Sequence, residues 1–318
     1  MFMKLRDWVD ISKLNYKILS LNKNAIDFLK KNPHKIDWST LSRNPEAIEL
    51  LRKNEDKIDW SQLSCNTNLY AIELLKTNLK KIYWANLSDN IGAIEILKEN
   101  QDKIAWYYLS KNPNAIELIK ENLDKIYWNF LSENPNAIEI LKENFDKIYW
   151  CHLSLNKEAI ELLKEYPDKI EWYFLSFNEN AIELIKDNLD KINWNNLSSN
   201  KNAINLLKDN QDKINWDNFS RNENAIELLK NNQDKINWDE LSKNENAIEL
   251  LKDNQDKIEW YGFSSNPSIF TYDYEKIKKN FEELGEEIIA KALHPKRIFR
   301  LIEEYGEEEI YNTYFDDD

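Results

Sequence analysis

Tryptophan recurs along this chain at a fixed interval, and that interval restricts the fold more than any other property of the sequence. Trp38, Trp60, Trp84, Trp106, Trp128, Trp150, Trp172, Trp194, Trp216, Trp238 and Trp260 stand 22 residues apart, except that Trp60 and Trp84 are 24 apart. Tyr16 holds the same place 22 residues before Trp38. The longer interval contains SCNTNLYAIE where the preceding unit has SRNPEAIE. A unit of this length cannot enclose a core of its own, whereas stacked units share a continuous one. The chain therefore reads as 12 WxxLS-type segments and 11 intervening helical segments.

One unit is KIDWSTLSRNPEAIELLRKNED, residues 35–56. Within it, Ala47, Ile48, Leu50 and Leu51 form the apolar side of a helix. Asn44 is placed to be its N-cap and Pro45 its first residue. Asn54, with counterparts at 32, 78, 100, 122, 144, 188, 210, 232 and 254 and Tyr166 as the exception, suits a left-handed C-cap. Ile58, Trp60 and Leu63 then suit an extended entry into a short helical turn capped by Asp59.

The expected fold is all-α: a right-handed alpha solenoid of about 12 short helix-turn-helix repeats, with a Trp column and several Leu/Ile columns as its core. At the roughly 10 Å spacing of packed helices it would form a rod on the order of 100 Å long. A leucine-rich-repeat-like horseshoe is the alternative, because IxWxxLSxN echoes a strand followed by Asn. Against it stand the Asp, Asn and Glu residues between Ile and Trp, which are poor strand formers. The expected divisions are an N-terminal cap over residues 1–12, with Trp8 as a lid, the solenoid over 13–266, and an acidic helical cap and tail over 267–318. The last part reads as two helices, the second starting at Pro295, and a frayed Phe315–Asp318 end.

Units such as NPNAIELLKENFDKIYW and NENAIELLKDNQDKIEW resemble the 22-residue repeats of proteins from giant DNA viruses of amoebae and other protists. ALHPKRIFRLIEE is similar to a C-terminal segment of such proteins. The resemblance is strong over residues 13–266 and loose over 281–305. It implies a viral origin and a repeat fold, and it brings no catalytic residues.

Only four glycines occur, where average usage would give about 22. P-loop, GxGxxG, GxSxG, HExxH and EF-hand patterns do not occur. His34, His152 and His294 are far apart and read as structural, and Cys65 and Cys151 form no metal or disulfide pattern. The sequence thus points to no catalytic, cofactor or metal site and to a non-enzymatic protein. Asn-x-Ser triplets at Asn86, Asn196 and Asn218 read as by-products of the repeat. No apolar run is long enough for a bilayer, and MFMKLRDWVD lacks a signal-peptide core. The expected location is intracellular: host cytoplasm or virion if viral, and not secreted.

Charge follows the repeat. A Glu column from Glu49 to Glu249 and a basic column three residues later form helix-surface pairs. A second Lys column, from Lys35 to Lys257, could track phosphates, but an Asp precedes it in nine units. The net charge is −14, half of it in residues 267–318, which makes nucleic acid an unfavoured partner. Variable columns say more. Large side chains gather between residues 83 and 177, Phe145 and Phe177 among them. The candidate partner-binding residues are Tyr83, Tyr107, Tyr108, Tyr127, Phe130, Tyr149, His152, Tyr173 and Phe174. The expected partner is a host or viral protein, with self-association into a viral assembly component as the alternative.

Overall fold

Asn44 starts a long helix in the way expected of an N-cap. Its Oδ1 accepts from the Glu46 amide, and a single 3-10 turn, Pro45–Ala47, leads into the α-helix Ile48–Arg52. Asp59 likewise starts a short helix, Trp60–Leu63, by accepting from the Ser61 and Gln62 amides. In the computed structural model, which describes residues 2–306 and Ile310, this pair of helices recurs through the repeats. The all-α repeat architecture is thereby observed. We number the repeats 1 to 12 from Tyr16 to Trp260.

The long helix ends differently from expectation. Asn54 has φ −141° and ψ 48°, and no non-glycine residue among those described has a positive φ. Its side chain takes over instead, Nδ2 donating to the Leu50 carbonyl at 2.9 Å. Asn32, Asn78, Asn100, Asn122, Asn144, Asn188, Asn210, Asn232 and Asn254 do the same four residues back. An amide on the side chain satisfies the orphan carbonyl that a left-handed turn would otherwise satisfy.

The core is aliphatic. Leu41, Ala47 and Leu51 are completely buried, as are their counterparts in nearly every repeat, with Ile58 and its counterparts just beneath the surface. Burying each Leu contributes about 1.5–3 kcal/mol. The tryptophans, expected inside, are all half-buried. Each lies at the edge of its layer, and in most repeats a lysine of the next repeat covers the ring: Lys57 stands 4.6 Å from the Trp38 centroid and Lys213 the same distance from Trp194.

Successive repeats are tied together by buried polar groups. Asn134 Nδ2 donates to the carbonyls of Ser110 and Asn112 in the repeat before, each at 3.1 Å. Ser132 Oγ donates to the Trp128 carbonyl and accepts from the Tyr149 amide of the repeat after. Both patterns hold at every repeat. The two-residue insertion after Asn66 leaves them intact, because the helix Leu69–Thr77 takes up the extra length.

The ladders do not stop at the ends of the sequence. Asn22 in repeat 1 donates to the carbonyls of Ser264 and Asn266 in repeat 12, and the Asn15 amide donates to Ser264 Oγ. Lys13 lies 5.1 Å from the Trp260 ring, as lysines do between interior repeats. The open rod expected from the sequence is thus corrected: residues 5–270 close into a ring. Twelve equal steps require a rotation of about 30° each.

Closure draws on residues expected in the two caps, Asp10–Ser12 and Ile269, together with Lys13–Asn15 at the start of the solenoid. Asp10–Asn15 occupy the positions of Asn32–Asp37 in the next unit, and Ile269 fills the place of Ala47. Repeat 12 is therefore assembled from both ends of the chain. Arg6 donates from its backbone to the Ile269 carbonyl and from Nε to the Ser268 carbonyl. Trp8, expected to be a lid on the first layer, instead meets Phe263 at 5.8 Å. Neighbouring short helices pack on one another, whereas the long helices stand further apart. In a closed ring, the more tightly spaced layer is the inner one.

By contacts, the chain divides into Leu5–Phe270 and a second unit of Met1–Lys4 with Thr271–Asp318. The strand Met3–Leu5 pairs with Phe270–Tyr272. The two expected C-terminal helices are Tyr274–Ala292 and Pro295–Tyr305, the latter capped by His294. Phe315–Asp318 lie outside the described residues.

Candidate interaction surface

The residue before each tryptophan is the N-cap of the short helix, and its side chain decides whether the first amides are satisfied. Asn15, Asp37, Asp59, Asn193, Asn215, Asn237 and Glu259 all accept from amides of that first turn. Tyr83, Ala105, Tyr127, Tyr149 and Glu171 make no such bond. These five belong to repeats 4 to 8 in unbroken succession. A cap of this kind contributes about 1 kcal/mol.

The same five repeats carry most of the exposed aromatic side chains of the short helices, Tyr261 of the capped repeat 12, 59% exposed, being the exception. Tyr83, Tyr127 and Tyr149 occupy the cap position and are 57%, 49% and 53% exposed. Tyr107 and Tyr173 follow their tryptophans and are also exposed. One residue further on, Tyr108 is exposed, while Phe130, His152 and Phe174 are half-buried between neighbouring short helices. With Leu109 and Ser110 of repeat 5 fully buried, the 3.6-residue turn directs Tyr107 and Tyr108 away from the leucine core. In the ring, that side faces the opening.

The structure joins some of these residues and separates others. The Tyr107 ring lies 4.3 Å from Phe130, 5.0 Å from Tyr108 and 5.5 Å from Tyr127, and Phe130 lies 5.9 Å from His152. Those five form one group across repeats 5 to 7. Tyr173 and Phe174 form a second pair, 5.1 Å apart. Tyr83 and Tyr149 stand singly in the same row. Phe145 lies elsewhere: it packs on Trp150 and Tyr166, on the side where lysines cover tryptophans in other repeats. Phe177 is exposed.

Charges near the row are mostly carboxylates. Asp89 pairs with Lys111 at 3.4 Å, and Lys111 also lies 5.8 Å from the Tyr108 ring. Glu133 Oε2 is 3.5 Å from His152 Nδ1, and Glu171 is exposed. Burial pushes the Cys65 thiol up, with Asp89 adding to the effect against Arg43, so its thiolate is disfavoured.

The charge columns are built as follows. On the outer helices Lys98–Glu95, Lys120–Glu117 and Lys142–Glu139 pair at 3.0 Å, as the spacing predicts. The second Lys column is occupied less by its preceding Asp, which pairs only at Asp102–Lys103 and Asp168–Lys169 among the described residues, than by tryptophan rings.

Sequence reasoning passed over a recess of about 550 Å³ in the C-terminal unit, lined by Lys291, His294, Lys296, Arg297 and Arg300 together with Glu287 and Ala290. The signal was a basic cluster within an acidic segment. Among the described residues no group of His, Cys, Asp and Glu is placed to hold a metal ion, and no helix is long and apolar enough to cross a membrane. No protein-family model matches the chain, and comparison with curated proteins and with solved structures gives no match either.

Proposed function

We propose that the ring is a non-catalytic scaffold that holds another protein on the aromatic row of repeats 4 to 8. The observation that carries this reading is the loss of the side-chain cap in five successive repeats. A chain that gives up local stability at a contiguous, solvent-facing set of positions is serving something other than folding. Exposed tyrosines offer large contact area at small entropic cost, and a ring tied by buried ladders presents them with little further ordering. Nucleic acid fits poorly, given a net charge of −14 and lysines committed to tryptophan rings. The resemblance of the repeats to those of giant DNA viruses directs the search to viral and host proteins inside an infected cell.

The test separates binding from folding. Tyr127→Asn and Tyr149→Asn restore the cap that repeats 9 to 11 have, so they should leave stability unchanged or raise it by about 1 kcal/mol per site. The same variants should lose a protein that the wild-type ring captures from infected or host cells. A captured set identical for wild type and double variant would reject the aromatic row as the binding surface. Sedimentation over a concentration series addresses the other occupant, since self-association lost in the double variant would make that occupant a second copy.

A further inference from the structure

The C-terminal unit gathers positive charge that the aromatic row does not use. We propose that the recess at the corner between the helices Tyr274–Ala292 and Pro295–Tyr305 binds a small ligand bearing two or more phosphoryl groups.

Spacing brings the side chains together. Glu287 and Lys291 stand one turn apart on the first helix, and Arg297 and Arg300 share a side of the second. His294 lies at the corner, with Lys296 just beyond it. All six line one recess of about 550 Å³, within the size range of small-molecule sites. His294 Nδ1 accepts from the Lys296 amide at 3.3 Å. That bond places the ring proton on Nε2, which is left as a donor to a ligand oxygen.

Charge identifies the ligand. Residues 267–318 hold 14 acidic and seven basic side chains, and four of those seven line the recess. The other three are engaged elsewhere: Lys278 with Glu282 at 3.8 Å, Lys279 with Glu283 at 3.7 Å, and Lys276 on the Phe2 ring at 4.1 Å. In the recess, Lys291 reaches only Glu287, at 3.9 Å. Lys296, Arg297 and Arg300 have no carboxylate partner among the described residues. Four cations thus face one carboxylate, a surplus of three positive charges. A phosphoryl group carries about −1.5 to −2 charges and three acceptor oxygens, so two of them balance the surplus where a single carboxylate leaves most of it. Arginine forks also take phosphoryl oxygens in pairs.

The surroundings limit the size of the ligand. Glu282, Glu283 and Glu286 precede the recess on the first helix, and Glu303 and Glu304 follow it on the second. A long nucleic acid or an anionic bilayer would run onto these carboxylates, whereas a compact polyanion ends before reaching them.

Isothermal titration calorimetry of the full-length protein with pyrophosphate and tripolyphosphate tests the site, with sulfate and citrate as comparison anions. Both phosphate compounds should bind at least about tenfold more tightly than sulfate or citrate. Arg297→Gln with Arg300→Gln should weaken them about tenfold or more. Lys278→Gln with Lys279→Gln, which removes the same charge from the same unit, should change binding less than about twofold. All four positions are exposed, so circular dichroism of both variants should match wild type. Arg300→Gln alone, a turn away from the helix start, should give an intermediate loss. Absence of binding by either phosphate compound overturns the site. Citrate binding as tightly overturns the phosphoryl requirement, and equal losses in the two double variants overturn the recess in favour of diffuse charge. Short single-stranded DNA or phosphatidylserine vesicles binding more tightly than tripolyphosphate, with the same arginine dependence, overturn the small-ligand class.

Discussion

Asn134 does three things with one side chain. Its Oδ1 caps the long helix by accepting from the Asn136 amide, and its Nδ2 reaches two carbonyls of the preceding repeat. Asn134→Ala should therefore destabilise the protein by about 2–4 kcal/mol in urea unfolding, the cost of a cap plus the orphaned Ser110 carbonyl, since the Asn112 carbonyl keeps the Ala115 amide. Asn134→Asp should be worse, because it keeps the cap but turns an anionic oxygen towards those carbonyls. The cap alone was legible, since Asn before Pro marks a helix start; the ladder was not, because its acceptors lie 22 and 24 residues back. Asp59 gives a pH test. Burial works against its ionisation, but hydrogen bonds from the Ser39 and Ser61 hydroxyls and the Gln62 and Ser61 amides outweigh it, so its pKa is lowered. A lowered carboxylate pKa stabilises the fold above the unfolded-state value of about 4, and that contribution disappears as pH falls through the folded-state value. Asn in its place keeps the acceptor and loses the charge. The stability difference between wild type and Asp59→Asn should thus shrink as pH drops from 6 to below about 3, and a difference that stays constant would show that the charge contributes nothing.

At the scale of the element, the short helices separate what folds the chain from what it displays. The third and fourth positions after the tryptophan are buried in every repeat and scarcely vary: Leu, with Phe219 and Phe263 in two repeats, and then Ser. The cap position and the two residues after the tryptophan vary freely, which is why the candidate surface could be read from the sequence. Periodicity alone could not say whether those rings pack between layers or face solvent. The answer is divided: Tyr83, Tyr149 and Tyr173 are more than half exposed, while Phe130, His152 and Phe174 are half-buried. Phe145 shows the limit of neighbourhood in sequence, since five residues before Trp150 it belongs to a different face. The two classes should respond differently to truncation. Phe130→Ala, which removes a ring wedged against Tyr107, should cost about 1–3 kcal/mol of stability. Tyr83→Ala, at an exposed cap position, should change unfolding by about 0.5 kcal/mol or less.

For the whole molecule, the repeat count and helical class were legible from the tryptophan interval, but closure was not. A ring depends on a small rotation per repeat accumulating to a full turn, and no local pattern states that angle. Asp10–Ser12 also escaped notice, because the tryptophan that would have marked their unit is Trp260, at the far end of the chain. Closure predicts that Asn22 behaves like an interior residue. Asn22→Ala should cost about 2–4 kcal/mol, as at Asn134, whereas an open rod would lose little more than a cap, about 1 kcal/mol. Hydrogen exchange should likewise find the Asn15 amide, bonded to Ser264 Oγ, as protected as the Tyr149 amide in the middle of the sequence. An ordinary repeat array behaves as a one-dimensional cooperative chain that melts inwards from two free boundaries. Joining repeat 12 from both termini imposes a periodic boundary on the array, so every unit has two neighbours and unfolding must nucleate by breaking the circle. Where translation begins along that circle is then arbitrary as far as folding is concerned, and a chain opened between any two other repeats and joined across the present ends should build the same ring.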